Sequence, residues 1–407
     1  MPNKRKIIND PVFGFITLPN DLLYDLLQHP YVQRLNRIRQ LGLSFFVYPG
    51  AMHTRFLHSL GTMHLMQEAL QGLRQKGITI SHDEATAAEA AILLHDIGHG
   101  PFSHVLENTL VHGISHEEIS LMMMEKINNE FNGQLTNAIA LFKDEYPRHF
   151  LHQMISSQLD MDRLDYLCRD SFFCGVNEGT VASARILKML TVADDRLVVE
   201  AKGIYSIEKF LVARRLMYWQ VYLHKTSVAA EQLLIHILSR AQELASQGES
   251  LFATPALYWF LYHYVGVEDF TKNPNALEYY AQLDDTDILS AIKVWEDSDD
   301  IVLSTLCKAF SNRQLFKVKV LSQPLSQEEQ DEYTQKYASH FGISNEDAHY
   351  FYGVHTVSTD TYSPDDDSIG ILYKDGTIKD IADASDMLNI QVLSKRVEKH
   401  YFFYYPL

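Results

Sequence analysis

The sequence predicts a mainly α-helical protein with a short N-terminal β-hairpin and a small α+β lobe at its C-terminus. Two capping boxes, Ser81 to Glu84 and Ser115 to Glu118, mark helix starts. Residues 208–247 contain neither Gly nor Pro, which indicates long helical structure. Near the C-terminus the apolar pattern changes to short runs around a Lys-Asp-Gly turn, which is typical of a β-hairpin.

Local patterns place the elements along the chain. Ile7 to Leu18 is predicted to be a β-hairpin, because apolar residues flank turn formers. The helical pattern begins at Leu22, and the helix that follows the first capping box should run to about Ile97 and be buried, because it has almost no polar face. The remaining predicted elements are a helix from Leu151 to about Ser171, helical structure over Glu208–Gln247 with a break near Ser227, mostly helical structure over Thr254–Leu321, a hairpin joining Ile369–Leu372 to Ile378–Ile381, and a last strand over Phe402–Tyr405.

Composition and charge restrict the classes of function. The 407-residue chain has a net charge of −17, which argues against a non-specific nucleic-acid binder, because affinity for phosphate backbones comes from clustered Lys and Arg. Cys168, Cys174 and Cys307 form no CxxC motif and are too few for a disulfide framework. They fit buried or incidental thiols in a reducing compartment. Neither a signal peptide nor a run of 18 apolar residues is visible, so we predict a cytoplasmic protein without a membrane span.

Four residues on three predicted helices form a candidate metal site: His58, His95, Asp96 and Asp162. Imidazole and carboxylate groups are typical ligands of divalent cations, and Asp is rarely buried in a helix unless it is paired or bound to a cation. The other His-Asp pair, at residues 82–83, lies in a capping box and is explained by helix capping. Spacing alone supports a metal site and satisfied polar groups of the core about equally.

Three more histidines follow the His95-Asp96 pair. His99 and His104 lie in a loop that neighbouring Gly and Pro residues force to turn, and His116 begins the next predicted helix. This density of histidines exceeds what a hydrophobic core requires, and it favours the metal site.

A stretch without acidic residues precedes this pair. Residues 26–67 contain no Asp or Glu, where the chain average predicts about five. The stretch carries Arg34, Arg37, Arg39 and Arg55. Guanidinium groups match phosphate oxygens, so we interpret it as a polyphosphate pocket, with a surface balanced by acids elsewhere as the alternative. Arg55 lies three residues before a candidate ligand and shares its helix face, which favours the pocket.

The third helix of the candidate site carries a line of polar and aromatic side chains. Asp162, Tyr166 and Asp170 are spaced at i, i+4 and i+8, so they lie along one face. A carboxylate, an aromatic ring and a second carboxylate in line could follow a nucleotide from phosphate to sugar. Arg163 lies beside this line.

These residues resemble the HD superfamily of metal-dependent phosphohydrolases. Within it they are similar to the deoxynucleoside triphosphate triphosphohydrolase branch, which contains dGTPase-like enzymes. The similarity covers about residues 7–226, and the tail from Ser363 onward resembles the C-terminal lobe of bacterial members more weakly. The matching strings are Asn9-Asp-Pro-Val-Phe-Gly14, Gln33-Arg-Leu, Gln40-Leu-Gly42, Thr54-Arg-Phe-Leu-His-Ser-Leu-Gly61, Leu94-His-Asp-Ile-Gly-His-Gly-Pro-Phe-Ser-His104, His116-Glu117, Asp160-Met-Asp-Arg-Leu-Asp-Tyr166, Arg169-Asp170 and Tyr222-Leu-His-Lys225.

The resemblance implies a fold, a cofactor and a reaction. The fold would be an HD-type catalytic helical domain over 1–250, a helical extension over 251–330 and a small α+β lobe over 331–407. His58, His95, Asp96 and Asp162 would bind one divalent metal ion, whose identity among Zn, Mn, Fe, Ni and Mg stays open, and Mg could accompany the substrate phosphates. The metal would lower the pKa of a bound water and polarise the α-phosphate. A dNTP, dGTP among them, would then be cleaved to deoxynucleoside and tripolyphosphate.

The resemblance also assigns the other site residues. His116 would be the general acid for the leaving 5′ oxygen, steered by Glu107, with His99 as a further catalytic group. The residues that would hold the phosphates are Arg55, His99, His104, Arg163 and Lys225, and those that would line the sugar and base are Gln40, Leu41, Tyr166, Asp170 and Tyr222. The implied substrate-binding residues are Gln40, Leu41, Arg55, His99, His104, Arg163, Tyr166, Asp170, Arg214, Tyr222 and Lys225.

Some residues depart from the pattern or stay outside the site. Phe13 stands where relatives often have His, and we do not expect it to contact metal. Gln28 and Asn36 stand where a vertebrate member of this branch has an Asp and an Arg that serve an activating guanine nucleotide, which argues against such activation. Asp165 is interpreted as structural, through an i, i+4 pair with Arg169.

Alternatives remain for function and assembly. The chain could be an HD phosphohydrolase of another nucleotide, such as a monophosphate or a signalling nucleotide, or a non-catalytic metal- or nucleotide-binding regulatory protein. The resemblance implies a homo-oligomer, dimer or tetramer, with a nucleotide as substrate and neither membrane nor nucleic acid as partner. Residues 208–247 and the aromatic residues 401–405 are interpreted as core, with a subunit interface as the alternative.

Overall fold

The architecture is mainly helical, as the sequence predicts. A computed structural model describes residues 6–107, 109–359, 362, 368–386 and 397–407, without the side chains of His104 and Thr359. Helices dominate as far as Ser311, and within the described residues the strands form three small sheets. The first residues of the tail that begins at Ser363 lie outside the described residues.

The N-terminal hairpin is confirmed. Strand β1 (Ile7–Asp10) pairs antiparallel with β2 (Gly14–Thr17). The Asp10 carboxylate accepts hydrogen bonds from two backbone N–H groups of the turn, and Gly14 adopts a left-handed conformation with φ +78°. The second carboxylate oxygen of Asp10 accepts a hydrogen bond from Arg169 at 2.7 Å, so the hairpin is tied to a helix of the candidate site.

Both predicted capping boxes form. The Ser81 hydroxyl accepts from the Glu84 N–H while the Glu84 carboxylate accepts from the Ser81 N–H, and Ser115 and Glu118 repeat this arrangement. The helix after Ser81 ends at Leu94, so the His-Asp pair lies in the turn that follows it. The helices of this half are α1 (Asp21–Gln28), α2 (Pro30–Gln33), α3 (Arg55–Gln75), α4 (His82–Leu94), α5 (Ser103–Glu107), α6 (His116–Glu130), α7 (Thr136–Phe142), α8 (His149–Gln153) and α9 (Met161–Cys174).

The helix predicted over 151–171 is wrong in its first part. Residues 154–160 separate α8 from α9, and Asp160 is the N-cap of α9, accepting a hydrogen bond from the N–H of Arg163 at 2.7 Å. An aspartate at this position stabilises a helix start, so the chain turns before it. Asp162 consequently lies in the first turn of α9.

The predicted break near Ser227 is confirmed. A π-helix, Tyr218–Tyr222, and the N-cap His224 separate α11 from α12. π-Helical turns frequently occur at functional sites, and Tyr222 is a predicted site residue. The helices from here onward are α10 (Ser183–Met189), α11 (Ile204–Met217), α12 (Lys225–Ser246), α13 (Pro255–Tyr262), α14 (Val267–Lys272), α15 (Pro274–Gln282), α16 (Asp285–Trp295), α17 (Ile301–Ser311), α18 (Gln327–Phe341), α19 (Asn345–Ala348) and α20 (Ile381–Ala384).

The strands that follow the N-terminal hairpin include two predicted features and four strands that were not predicted. The hairpin β7–β8 and the final strand β9 are confirmed, while β3, β4, β5 and β6 were not predicted. One sheet has the order β3-β4-β7-β8, with β4 and β7 parallel, and the other is antiparallel in the order β5-β9-β6. These strands are β3 (Leu190–Ala193), β4 (Arg196–Glu200), β5 (Lys317–Leu321), β6 (Tyr352–Thr359), β7 (Gly370–Leu372), β8 (Ile378–Asp380) and β9 (Val397–Tyr404).

The sheets pair strands from different predicted domains. Strand β4, within 1–250, pairs with β7 in 331–407, and β5, within 251–330, pairs with β9. One cluster of buried apolar residues extends from Ile16 to Phe403, so the domain boundaries stay a prediction. Residues 401–403 are buried within the chain, as the core interpretation expects. Among the helices of the described residues, none combines the length and the apolar composition that crossing a bilayer requires.

Candidate active site

The four predicted metal ligands come together at one point. In α3 the Nε2 atom of His58 lies 3.0 Å from Oδ1 of Asp162 in α9, and Nε2 of His95 lies 3.6 Å from the same oxygen. Asp96 places Oδ1 at 3.4 Å from Nε2 of His95 and Oδ2 at 3.7 Å from Nε2 of His58. Two imidazoles and two carboxylates therefore form one group, which we call the ligand group.

The two imidazoles of the ligand group are oriented for a cation. Nδ1 of His58 lies 2.7 Å from Oδ2 of Asp165, and Nδ1 of His95 lies 2.6 Å from the backbone oxygen of Ile92. These contacts hold a proton on Nδ1 of the neutral ring and direct the lone pair of Nε2 into the group. Both Nε2 atoms are buried and lack an aligned hydrogen-bond partner, so the 3.0 Å contact of His58 with Asp162 is electrostatic. Such a donor set fits one divalent cation and leaves its identity open.

The electrostatics of the ligand group favour positive charge. Burial lowers the pKa of His58, but the carboxylates of Asp162 and Asp165 outweigh burial and raise that pKa to about 10. Burial raises the pKa of Asp162, but His58 and His95 outweigh it and hold that pKa well below its usual range. A bound cation would take the place of the protons that the group otherwise attracts.

Asp165 does more than pair with Arg169. It is fully buried, and the Arg169 guanidinium donates to it at 2.9 Å, which confirms the predicted i, i+4 pair. The same carboxylate also fixes the ring of His58. A Cβ on Gly61 would lie 1.9 Å from Oδ1 of Asp165, so the close packing of α3 on α9 requires glycine there. Sequence reasoning missed this role, although Asp165 lies one turn after Asp162 on the same face.

A second group of side chains contacts the ligand group. The rings of His99 and His116 stack with their centroids 3.8 Å apart. Nδ1 of His116 lies 3.2 Å from Oε1 of Glu107, so the predicted pair is brought together, and Nε2 of His99 lies 3.2 Å from Oδ1 of Asp96. Burial, aided by Arg55, lowers the pKa of His99 to about 3, so this ring is neutral at physiological pH.

Of the four arginines in the acid-free stretch, Arg55 reaches the ligand group. Its Nη1 donates to Oδ2 of Asp96 at 2.7 Å, and its Nε is buried without a hydrogen-bond partner. The polyphosphate-pocket interpretation is wrong for Arg34 and stays a prediction for Arg37 and Arg39. Arg34 is buried against backbone carbonyl groups, while Arg37 and Arg39 form ion pairs with aspartates at the start of α16.

Comparison with known proteins places this site in a family. The model of the HD domain matches residues 55–170, which contain the whole ligand group, and the model of the HD associated region matches residues 181–253. The chain is similar to a phosphohydrolase from Bacteroides thetaiotaomicron of known crystal structure, with 62% identity and a TM-score of 0.96 over 98% of this chain and 99% of that one. The chain belongs to the HD-domain phosphohydrolases.

Other proteins similar to this HD-domain phosphohydrolase differ in sequence identity and in the share of the chain that they match. The uncharacterized protein YwfO of Bacillus subtilis is 31% identical over 99% of this chain and 92% of that protein. The deoxynucleoside triphosphate triphosphohydrolase SAMHD1 of Homo sapiens is 28% identical over 58% of this chain, and the match spans 45% of that protein. A hypothetical protein from Aquifex aeolicus, at 24% identity and a TM-score of 0.71, shares the fold.

The HD-domain phosphohydrolase holds its predicted sugar-side residues in a buried network. Oδ2 of Asp170 accepts from the Tyr222 hydroxyl at 2.9 Å, and Oδ1 lies 2.8 Å from Nε2 of His53. The rings of Tyr166 and Tyr222 meet edge to face at 6.1 Å. His53 was missed by sequence reasoning, although it lies two residues before Arg55 in the acid-free stretch.

Gln40 and Leu41 lie next to this network. The Gln40 N–H donates to the backbone oxygen of His53 at 3.0 Å, and Oε1 of Gln40 is buried without a hydrogen-bond partner. Leu41 follows and is partly buried. An unpaired buried amide oxygen is costly, so this position is suited to receive a donor from a ligand.

The remaining predicted phosphate-holding residues occupy different surroundings. Arg163 is paired with Asp160, and Nη1 of Arg214 donates to Oε1 of Gln158 at 2.9 Å. Lys225 is exposed at the first residue of α12. The side chain of His104 lies outside the described residues. Contact of these four residues with a substrate stays a prediction.

Proposed function

We propose that this HD-domain phosphohydrolase hydrolyses deoxynucleoside triphosphates, dGTP among them, to deoxynucleoside and tripolyphosphate. The observation that carries the proposal is the continuous set of contacts around Asp96, which joins the ligand group to Arg55 at 2.7 Å and to His99 at 3.2 Å. His99 in turn stacks on the His116 ring. The relatives named deoxynucleoside triphosphate triphosphohydrolases, at 26–28% identity, support the substrate class.

The proposed roles follow from the chemistry of each group and its place beside the ligand group. The ligand group would hold a divalent cation, which when bound would lower the pKa of a water molecule so that it can act as the nucleophile and would polarise a phosphoryl oxygen. Arg55 has an unpaired Nε that can donate to a phosphate oxygen. Neutral His99 donates or accepts without adding charge. His116 delivers a proton from Nε2 to the leaving 5′ oxygen, because its Nδ1 lies 3.2 Å from Glu107; Nε2 itself lies 3.3 Å from Oε1 of the exposed Glu117.

The residues around Asp170 are proposed to bind the sugar. The carboxylate is fixed on both oxygens by Tyr222 and His53, so it offers its remaining lone pairs in a defined direction. Tyr166 and Tyr222 offer aromatic surface beside it. A fixed carboxylate next to an aromatic side chain suits a ribose-type hydroxyl.

A second candidate is hydrolysis of a smaller or different nucleotide. It is favoured by the finding that Arg34 is bound within the protein and that Arg37 and Arg39 each pair with an aspartate, which leaves fewer unpaired cations for a triphosphate. Fewer free cations suit a shorter phosphate chain.

Product identification distinguishes the two candidates. Mn²⁺-loaded protein is incubated with each dNTP and each NTP, and the products are separated by ion-exchange chromatography. Release of tripolyphosphate with deoxynucleoside is expected. Orthophosphate or pyrophosphate would favour the second candidate, and the absence of any product from cation-loaded protein would contradict both.

A further inference from the structure

The loop after the His95-Asp96 pair is held by two residues outside the HD domain match. Nη1 of Arg34 donates to the backbone oxygens of Ile97 and His99 at 2.9 Å each. The hydroxyl of Tyr280 donates to the backbone oxygen of Gly98, between them, at 2.8 Å. Three consecutive carbonyl groups are therefore fixed from outside the loop. One holding residue precedes residues 55–170, and the other follows the HD associated region that ends at residue 253.

Arg34 connects the loop to the helical extension. Its side chain is 1% exposed, and Nη2 donates to the backbone oxygens of Tyr280 and Leu283 at 3.3 Å each. The guanidinium also lies over the Tyr280 ring, with its carbon 5.4 Å from the centroid. A buried cation is tolerated only when it is well hydrogen-bonded, and four carbonyl groups accept from Nη1 and Nη2, while Nε is buried without a hydrogen-bond partner. The arginine thus binds the loop on one side and the end of α15 on the other.

Tyr280 is packed so that its hydroxyl has one position. The ring is buried and meets Phe260 and Phe270 edge to face. A Cβ on Gly100 would lie 2.8 Å from the Tyr280 hydroxyl oxygen, so glycine leaves the space that the hydroxyl occupies. The Tyr280 hydroxyl therefore contacts the loop in the space that is left because Gly100 has no side chain.

The held carbonyl groups lie one to three residues after a ligand. Asp96 immediately precedes Ile97, and His99, whose own carbonyl is held, contacts the Asp96 carboxylate through its ring. A ligand's affinity for metal depends on how completely the protein fixes its orientation. If the loop could leave this arrangement, the ligand group would be in its cation-binding geometry for a smaller fraction of the time. The apparent affinity for the cation is reduced in proportion to that fraction.

We propose that Tyr280 and Arg34 are positioning residues of the ligand group, and that the helical extension at α15 thereby sets the affinity of this site for its cation. The inference rests on the cation site of the proposed function and is independent of the substrate. By linkage, cation binding must in turn stabilise α15.

The test uses the full chain and Mn²⁺ alone. Tyr280→Phe removes the one hydroxyl and keeps the ring over Arg34, and Tyr279→Phe, which removes a hydroxyl from the neighbouring, partly buried ring that stacks on Trp259, is the matched control. Mn²⁺ affinity is measured by titration with electron paramagnetic resonance detection. We expect affinity about tenfold weaker than wild type in Tyr280→Phe and unchanged in the control. Equal affinity in all three proteins, or an equal loss in both variants, would overturn the proposal.

A measurement on the wild type avoids dependence on the folding of a variant. Backbone hydrogen exchange is followed with and without Mn²⁺. Slower exchange over residues 274–283 with Mn²⁺ is expected, and protection confined to the ligand helices α3 and α9 would overturn the coupling. If wild type binds no Mn²⁺ at all, the cation site of the proposed function fails, and that result differs from a wild type that binds Mn²⁺ without coupling to α15.

Discussion

The Nδ1 atom of His58 lies 2.7 Å from Oδ2 of Asp165, and neither side chain is accessible to solvent. A histidine that binds a metal usually gives its other ring N–H to a carboxylate, which fixes both tautomer and ring orientation. Asp165 is itself held by Arg169, which also contacts Asp10 of the N-terminal hairpin. The direction of Nε2 in His58 therefore depends on a series of ion pairs that begins at Asp10 of the N-terminal hairpin.

Asp165→Asn should weaken cation binding by about 10–100-fold, because a neutral amide holds the His58 ring less firmly. Calorimetric titration with Mn²⁺ measures the change. Asp299→Asn, at an exposed position, serves as the control and should bind Mn²⁺ like wild type. Unchanged affinity in Asp165→Asn would show that the ring does not need this partner.

His116→Gln should lower kcat by about 10²–10⁴-fold, because the leaving group loses its proton donor. Mn²⁺ affinity should stay the same, since His116 is outside the ligand group. His112→Gln changes a neighbouring histidine that stacks on Tyr264, and it should keep full activity. A loss of Mn²⁺ binding in His116→Gln would instead assign this residue to the metal.

Gly98→Ala should destabilise the fold by about 1–3 kcal/mol. The new Cβ would lie 2.1 Å from the backbone oxygen of His116 and 2.3 Å from the backbone nitrogen of Ser120, so α6 would have to move away from the loop. Urea denaturation measures the free energy of unfolding. Gly72→Ala is the matched control, because its Cβ would meet its nearest atom at an ordinary 3.8 Å. Equal stability of the two variants would contradict the close approach at Gly98.

Glu89 should make stability depend on pH. Burial, only partly offset by the charge of Arg74, raises its pKa from the usual 4.5 to about 7. The folded chain then holds a proton that the unfolded chain releases, so this contribution to stability is fully present below pH 4.5 and is lost as pH rises through 7. Glu89→Gln should remove that slope and be more stable than wild type at pH 8 by roughly 3 kcal/mol. Denaturation curves from pH 4 to 8 check this, with exposed Glu125→Gln as the control, and parallel slopes for wild type and Glu89→Gln would contradict it.

Local chemistry made much of the fold predictable. The capping boxes at Ser81 and Ser115 and the turn at Gly14 are decided by residues a few positions apart, and all three form as expected. The boundary at Asp160 was missed because the apolar pattern of a helix continues through it, although Asp is also a residue type that caps the start of a helix. The parallel pairing of Val198 with Gly370 could not be predicted, since nothing local specifies a partner so distant in sequence.

The residues of the candidate site likewise divide into those that the sequence predicts and those that it does not. The ligand group was found because its side chains are of the types that bind cations and lie where such types are otherwise rare. Arg34 was misread because an arginine that binds backbone oxygens looks, in sequence, like an arginine that binds phosphate. Asp165 acts through His58, and His53 acts through Asp170, and these two contacts exist only after distant parts of the chain have packed together.

Anomalous diffraction from a crystal soaked with Mn²⁺ tests the central claim most directly. A single strong peak about 2.0–2.3 Å from Nε2 of His58 and of His95, and within reach of the carboxylates of Asp96 and Asp162, is the predicted result. A peak located instead among His99, Glu107 and His116, or no peak at saturating Mn²⁺, would contradict it.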